Sequence, residues 1–453
     1  MNWIDTALAG QGPLYLRIVN ALEQAVHSGA QVPGQRLPSQ RALATRLGID
    51  LTTVTRAFGE GRRRGLVESR GPQGSFVAPP GASTAQAVDL SMNVPPVPDT
   101  VALAAALRRG AATVLARSST PELMTYHLGG GSQTDRHAAS TWLRPMLGEV
   151  DAATLVVSEG AQAALAAIII GQTCEGEAIL CDPLVYPGLL QVAGSLRRRL
   201  VAVTGDAEGM CPDMLERAAL AYPARLVYFN PTCHNPTALT VPPRRRQDLA
   251  RVLRRLRLLA VEDDPYWHHE PAMPVPLARL APEHVYYLST LSKAISPGLR
   301  TAFVRCPSAA HATRLADALR ATRLMGHPLL TALASQLLLD GSAGALLAQV
   351  RDEAHERVAL ATHLLAPSLH ARVAGLHAWC QVPAPWTGAT LAQAARLQNL
   401  AITSSGDFAA DAGTPADGAR LSLGRAPDRL QLQRALRRIN QLVDGRGTAR
   451  VQG

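Results

Sequence analysis

From about residue 90 onward, helical stretches alternate with short apolar runs: TLVVSEG, AILCDP, RLVYFNP, LLAVEDD, VYYLST and TAFVRCP. Each run closes on small, polar or acidic residues. Short apolar runs bounded in this way read as buried strands. Their alternation with helices predicts an α/β domain with a mainly parallel sheet. In such a sheet ligands sit beyond the carboxyl ends of the strands, where residues distant in sequence converge. The chain has 453 residues, too many for one small core, and its 47% hydrophobic content suffices for a globular protein.

Lysine and arginine together number 45, and Lys293 is the only lysine. A guanidinium stays protonated and cannot condense with an aldehyde, whereas a lysine amine can lose its proton and form a Schiff base. Chance survival in an arginine-rich composition accounts for a lone lysine equally well, so the neighbourhood decides. Lys293 stands in STLSKAISPGLR, at the end of VYYLST, with Thr290, Ser292 and Arg300 around it. Other strand ends offer Asn235 in YFNPTCHNPTAL, and Asp263 with Tyr266 in AVEDDPYW. In VVSEGAQAAL, Gly160, Ala161 and Gln162 open a helix, where backbone N–H groups and the dipole suit a phosphate. An NP dipeptide is usually a turn and an acidic pair usually a solvated loop. The ordered set Asn235, Asp263, Tyr266, Lys293, Arg300 says more than any single piece.

These residue types match what pyridoxal 5′-phosphate (PLP) requires. Its aldehyde needs one amine, Lys293. Its pyridine nitrogen stays protonated beside a carboxylate, Asp263. The ring hydroxyl wants donors, Asn235 and Tyr266. The phosphate wants a helix start, hydroxyls and a guanidinium: Ala161–Gln162, Thr290, Ser292 and Arg300. Tyr186, in DPLVYPG, could stack on the ring, and Arg420, in ARLSLG, could grip a carboxylate or be an ordinary surface arginine. Cys233 and His234 adjoin Asn235 but lack a second ligand pair, so they read as pocket lining and no metal site is expected. His268 and His269 read as surface or pocket residues.

The first eighty residues follow another pattern. Leu14, Ile18, Leu22 and Val26 share a helical face, and Gly29 can end that helix. Ser39 can cap a second helix holding Leu43 and Leu47, which Gly48 stops; Asp50 can cap a third, with Val54 and Phe58 inward. Two β-rich runs then flank Gly71, Pro72 and Gly74, which predicts a hairpin wing. Thr52, Thr53, Thr55 and Arg56 lie on the outward face of the third helix, and such groups suit base edges and phosphates. Arg36, Arg41 and Arg70 add charge, while Arg62, Arg63 and Arg64 read as a solvated helix terminus. Residues 1–78 hold nine Arg against five Asp plus Glu, a modest +4. Residues 79–89 are rich in Ala, Pro and small residues, a linker composition.

The whole chain carries a formal charge of +10, which favours polyanionic partners without naming one. Six scattered cysteines read as reduced, mostly buried cytosolic thiols. The N-terminus has no secretory pattern, and the most apolar stretch, Ala163 to Ile170, reads as a buried helix too short to span a bilayer.

The elements G-Q-R-L-P-S-x-R-x-L-A, G-I-D-x-T-T-V-x-R-A-F, G-L-V and G-S-F-V resemble the winged helix-turn-helix of GntR-type regulators. That resemblance puts Arg36, Ser39 and Arg41 near phosphates, Thr52, Thr53, Thr55 and Arg56 on the reading helix, and Gly74 at the wing tip. Leu51 departs from the polar residue often found there. NPT, EDDPY and the Leu291–Arg300 segment resemble fold-type I aminotransferases, across about residues 90–445. Relatives of that kind place the site at a dimer interface, and TYHLGGGSQTDR, with Tyr126, Gly131 and Arg136, resembles the segment sent toward the partner's cofactor phosphate. Ala161 for Ser, Ala238 for Gly and Thr290 for Ser are departures.

Both halves together resemble the MocR-type subfamily of GntR regulators. The implied domains are a DNA-binding head at 1–78, a linker at 79–89 and a PLP-binding body at 90–453. The implied function is cytoplasmic transcriptional control by a homodimer on double-stranded operator DNA. It would sense PLP, or an amine or amino-acid effector, through a Lys293 aldimine. The alternatives are an aminotransferase with an incidental head, and a DNA-binding protein whose body is only a scaffold.

Overall fold

The computed structural model describes residues 3–6, 12–69, 74–78, 88–270, 272–411, 413–414 and 417–445. Arg70, Gly71, Pro72 and nearly all of the linker fall outside them. The chain divides into two compact units, Met1–Val88 and Asp89–Gly453.

The smaller unit holds three main helices, Leu14–His27, Gln40–Leu47 and Leu51–Arg63, and an antiparallel hairpin of Val67–Ser69 with Ser75–Val77. Its punctuation is chemical. The Ser39 side chain accepts from the Ala42 N–H, Gly48 turns left-handed at φ 65°, and Asp50 accepts from the Thr52 N–H. Ile18, Leu22, Leu43, Leu47, Val54, Phe58 and Val77 form the core. Trp3 and Ile4, on a four-residue helix too short to show periodicity, pack against it. Arg64 differs from the solvated terminus expected for it. It bonds Glu60 and Glu23, each at 2.9 Å, and Asn20 at 2.8 Å, tying the third helix to the first.

The larger unit is built on a seven-stranded sheet. Its spatial order is Leu155–Ser158, Ala302–Arg305, Val285–Thr290, Leu259–Asp263, Leu226–Phe229, Ala178–Cys181 and Arg199–Ala202. Ala302–Arg305 runs antiparallel to both neighbours, and every other pairing is parallel. The Arg199–Ala202 edge strand adds to the six strands read from sequence. Alternate residues divide between two apolar clusters. Val227, Ala260 and Tyr287 enter one; Tyr228, Val261, Tyr286 and Leu288 enter the other. Both faces are therefore covered, which is why the strands read as continuous apolar runs. The Ala161–Gln172 helix is one such cover, with Ala163, Leu165, Ile168 and Ile169 buried.

A second, antiparallel sheet orders Arg372–Ala374, His377–Gln381, Gly418–Ser422 and Thr403–Ser404. The segment following Val88 is stitched to it and to the separate Leu400–Ala401 strand: Leu90 N–H donates to Ala401 O and Ser422 N–H to Leu90 O, each at 2.8 Å, and Thr403 Oγ1 donates to Ser91 O at 2.9 Å. Among the described residues no single helix is long and apolar enough to cross a membrane.

Candidate functional site

The carboxyl ends of the parallel strands bring Asp263, Tyr266, Asn235, Thr290, Ser292 and Lys293 to one edge of the sheet. Strand alternation sorts the acidic run Glu262–Asp263–Asp264. Glu262 accepts from the Leu277 and Ala278 N–H groups at 2.9 and 2.8 Å and lies 3.6 Å from Arg246, both side chains fully buried. Asp264 accepts from Tyr287 Oη at 3.1 Å. Burial holds both carboxyls above the usual range, opposed by the Arg246 charge. These two acids brace the fold. Asp263 faces the other way: Oδ2 accepts from Tyr228 Oη at 2.8 Å, while Oδ1 is buried without a hydrogen-bond partner. Burial raises its pKa to about 6, against the lowering effect of the Tyr228 bond.

Lys293 sits on a one-turn helix, Leu291–Ala294, and its Nζ donates to Asn93 O. Burial lowers its pKa to about 8, helped by the Arg420 charge and opposed by Asp263. Asn93 Nδ2 also lies 3.0 Å from Tyr266 Oη and 3.0 Å from His377 Nδ1. Arg420, 5% exposed, is not a surface residue. It donates to Asn235 Oδ1 at 2.6 Å and to Ser91 O, its plane lies over Phe408, and its Nε is buried without a partner. Asn235 N–H in turn donates to Asn230 Oδ1 at 2.7 Å. Ala238 holds φ 54°, a conformation that favours glycine, and its N–H donates to His234 O at 2.6 Å.

At the other end of the group, Gly160 opens the Ala161–Gln172 helix at φ 110°. A Cβ there would lie 3.1 Å from the Arg300 guanidinium, so a side chain at this position would crowd that arginine outward. Ser292 Oγ is buried and unpartnered, whereas Thr290 directs its hydroxyl proton to Thr301 O at 3.0 Å. Gln162 Nε2 donates to Gly188 O at 2.9 Å, and Tyr186 packs against that same glycine. Tyr126 is 67% exposed. His269 is buried, not superficial, and lies 2.8 Å from Lys293 O; His268 lies against Trp142. Among the described residues no cluster of His, Cys, Asp or Glu could hold a metal ion. Four of the six cysteines are buried; Cys174 is exposed and Cys211 half-buried.

Sequence reasoning missed Asn93, Tyr228 and His377. Tyr228 was hidden inside an apolar strand, and Asn93 in a proline-rich arm.

In the smaller unit, Arg36 bridges to Phe76 of the hairpin and lies against Gly74, whose φ is 105°. Thr52 directs its hydroxyl at Asp50, Thr55 donates to Gln40 Oε1 at 2.9 Å, and Arg56 lies 4.0 Å over the Tyr15 ring. Ser39, Arg41 and Thr53 occupy the cap, the second helix and the third.

The fold thus defines a winged helix-turn-helix unit joined to a fold-type I aminotransferase-like unit. The chain belongs to the aminotransferase class I and II family, matched over residues 85–371, and carries a domain of the gntR family of bacterial regulatory proteins at 14–77, the arrangement of MocR-type regulators. It is 25% identical to the HTH-type transcriptional regulator YdeF of Bacillus subtilis, over 98% of this chain and 97% of that one. It is 27% identical to the vitamin B6 salvage pathway transcriptional repressor PtsJ of Salmonella typhimurium, over 65% of this chain and 68% of the other. Among solved structures it resembles LysN, an α-aminoadipate aminotransferase from Thermus thermophilus complexed with N-(5′-phosphopyridoxyl)-L-leucine. The TM-score is 0.69 at 24% identity, covering 80% of this chain and 94% of that one.

Proposed function

We propose that this chain is a transcription regulator whose head binds operator DNA and whose body holds PLP on Lys293. It responds to the cofactor itself or to an amine or amino acid that takes the lysine's place. The observation that carries this reading is the pairing, in one buried chamber, of a lysine amine of lowered basicity with the unpartnered Oδ1 of Asp263, in a chain that also has a gntR-type head.

The residues fit the cofactor. Asp263 Oδ1 is a buried acceptor awaiting a donor, as a protonated ring nitrogen would supply. Gly160, the helix start at Ala161–Gln162, Arg300 and the unpartnered Ser292 hydroxyl would take the phosphate. Asn235 and Tyr266 would hold the ring hydroxyl, Tyr186 the ring face, and Arg420 an effector carboxylate. Bound PLP supplies an aldehyde that exchanges one primary amine for another. Arg36, Ser39, Arg41, Thr52, Thr53, Thr55, Arg56 and Gly74 form the DNA face of this reading. A homodimer in the cytoplasm completes it. The exposed Met124, Tyr126 and Leu128 are apolar surface that a second copy would cover, carrying Tyr126 toward the partner's site.

Transamination is the second reading, supported by the same amine, carboxylate and buried Arg420 Nε. A gel shift on the DNA upstream of the chain's own gene separates the two. The regulator reading expects a shift that changes with PLP and is lost in Arg56→Ala, together with a visible absorbance band lost in Lys293→Ala. Rapid turnover of an amino acid with a keto acid, without any DNA shift, would reverse the ranking.

A further inference from the structure

The hydrogen bonds around Asn93 fix where each proton sits. His377 Nε2 lies 3.1 Å from His234 O. A carbonyl only accepts, so Nε2 carries the proton. Burial, and then the Arg420 charge, lower the His377 pKa to about 3, so the ring is neutral and Nδ1 is a lone-pair acceptor. Asn93 Nδ2, 3.0 Å from Nδ1, therefore donates to it. The same nitrogen lies 3.0 Å from Tyr266 Oη and gives its second proton there. The amide cannot be flipped, because Oδ1 would then face Nδ1 with two lone pairs opposed. Tyr266 Oη accepts from Asn93 and keeps its own proton for a third group. Meanwhile Asn93 O accepts from Lys293 Nζ.

We propose that Asn93 and His377 are positioning residues that set the hydrogen-bond polarity of the chamber, turning Tyr266 into a donor and seating the Lys293 amine. The proposal rests on the PLP reading, in which the group that receives the Tyr266 proton is the charged ring oxygen. The charged and titratable groups facing this cluster are Lys293, Asp263, Tyr186, His234, Arg300 and Arg420. All of them remain in His377→Phe, so its change reports the lock itself, whereas Asn93→Asp adds a carboxylate whose charge also raises the midpoint.

A donor on an oxyanion favours its charged form. Losing that donor raises the pH midpoint at which the visible spectrum of the PLP-loaded protein changes. In full-length His377→Phe and Asn93→Asp the expected rise is about one pH unit, the size of one hydrogen bond. His377→Asn can place a side-chain oxygen where Nδ1 stood and is expected to stay near the parent midpoint. A midpoint unmoved in folded His377→Phe and Asn93→Asp overturns the proposal, because a purely structural role would change stability and not the titration. Nitrogen-15 NMR of the histidines, without added cofactor, gives an independent reading, with His377 assigned by its loss in His377→Asn. An Nε2–H tautomer at pH 7 upholds the lock and an Nδ1–H tautomer overturns it, whether or not His377→Phe and Asn93→Asp fold. A colourless protein in excess PLP would sink the cofactor reading alone, and the tautomer measurement would still decide the lock.

Discussion

Lys293 offers the most quantitative test. Burial and the neighbouring Arg420 charge lower its pKa from 10.5 to about 8, and Asp263 pulls weakly the other way. A lowered pKa means that the reactive neutral amine predominates above pH 8 and declines below it. At pH 7.5 an amine of pKa 8 is neutral in roughly a quarter of molecules, and one of pKa 10.5 in about one part in a thousand. The protein should therefore present about 200 times more nucleophile than an ordinary lysine at that pH. The assay is stopped-flow absorbance of PLP capture between pH 6 and pH 10, each rate divided by that of a free lysine amide, which cancels the cofactor's own titration. The ratio should be largest at low pH and fall once pH passes about 8, where the site amine is already neutral and the free amine is still losing protons. Arg420→Met removes a like charge and should move that break upward. A break near pH 10 in the parent protein, or a downward move in Arg420→Met, refutes the reasoning.

Three further outcomes follow from other contacts. Arg246→Met leaves the fully buried Glu262 uncompensated and removes the donors to Val241 O, Pro231 O and Thr232 Oγ1, so urea unfolding should show a loss of about 3–5 kcal/mol. Adding Glu262→Gln should restore part of that loss. Gly160→Val forces a branched side chain into φ 110° and against the Arg300 guanidinium, and the protein should release PLP at least about tenfold more readily on dialysis. Arg56→Ala and Thr53→Ala should each weaken the operator gel shift by about 1–3 kcal/mol, and neither should alter the visible spectrum.

Much of this site could be read from strand ends alone, because each strand presents a residue type that few structural roles require there. Asp263 and Lys293 are the clearest cases. What stayed hidden was hidden for separate physical reasons. Tyr228 sits within an apolar run, where a phenol counts as core until its hydroxyl is seen on Asp263. Asn93 precedes Lys293 by 200 positions and His377 by 284, so only tertiary closure brings the three together. Arg246 ends a run of three arginines, and nothing in that run marks the one that turns inward; its burial against Glu262 does. The Arg199–Ala202 strand opens on charge because it is a sheet edge, and edge charge hides a strand from a hydrophobic search. Arg64 was masked by the same kind of arginine run.

A sensor works only if its ligand binds one state of the protein better than another, and the route to the head constrains which ligands can do so. The first compact unit ends at Val88, and Asn93 is five residues beyond it in the chain. That arm is held at Asp89 by Arg425, at Leu90 and Ser91 by the antiparallel sheet, and at Asn93 by Lys293, Tyr266 and His377. A molecule that merely fills the chamber leaves the Lys293–Asn93 bond intact, and the arm keeps every tether. Condensation with the PLP aldehyde would consume the amine that donates to Asn93 O and loosen the tether nearest the site, in the body segment closest in sequence to the head, while an amine that takes the lysine's place would free Nζ to donate there again. Exchange at Lys293, rather than occupancy, is therefore the event with a differential effect on that arm, and primary amines are the ligand class able to reverse the effect of the cofactor.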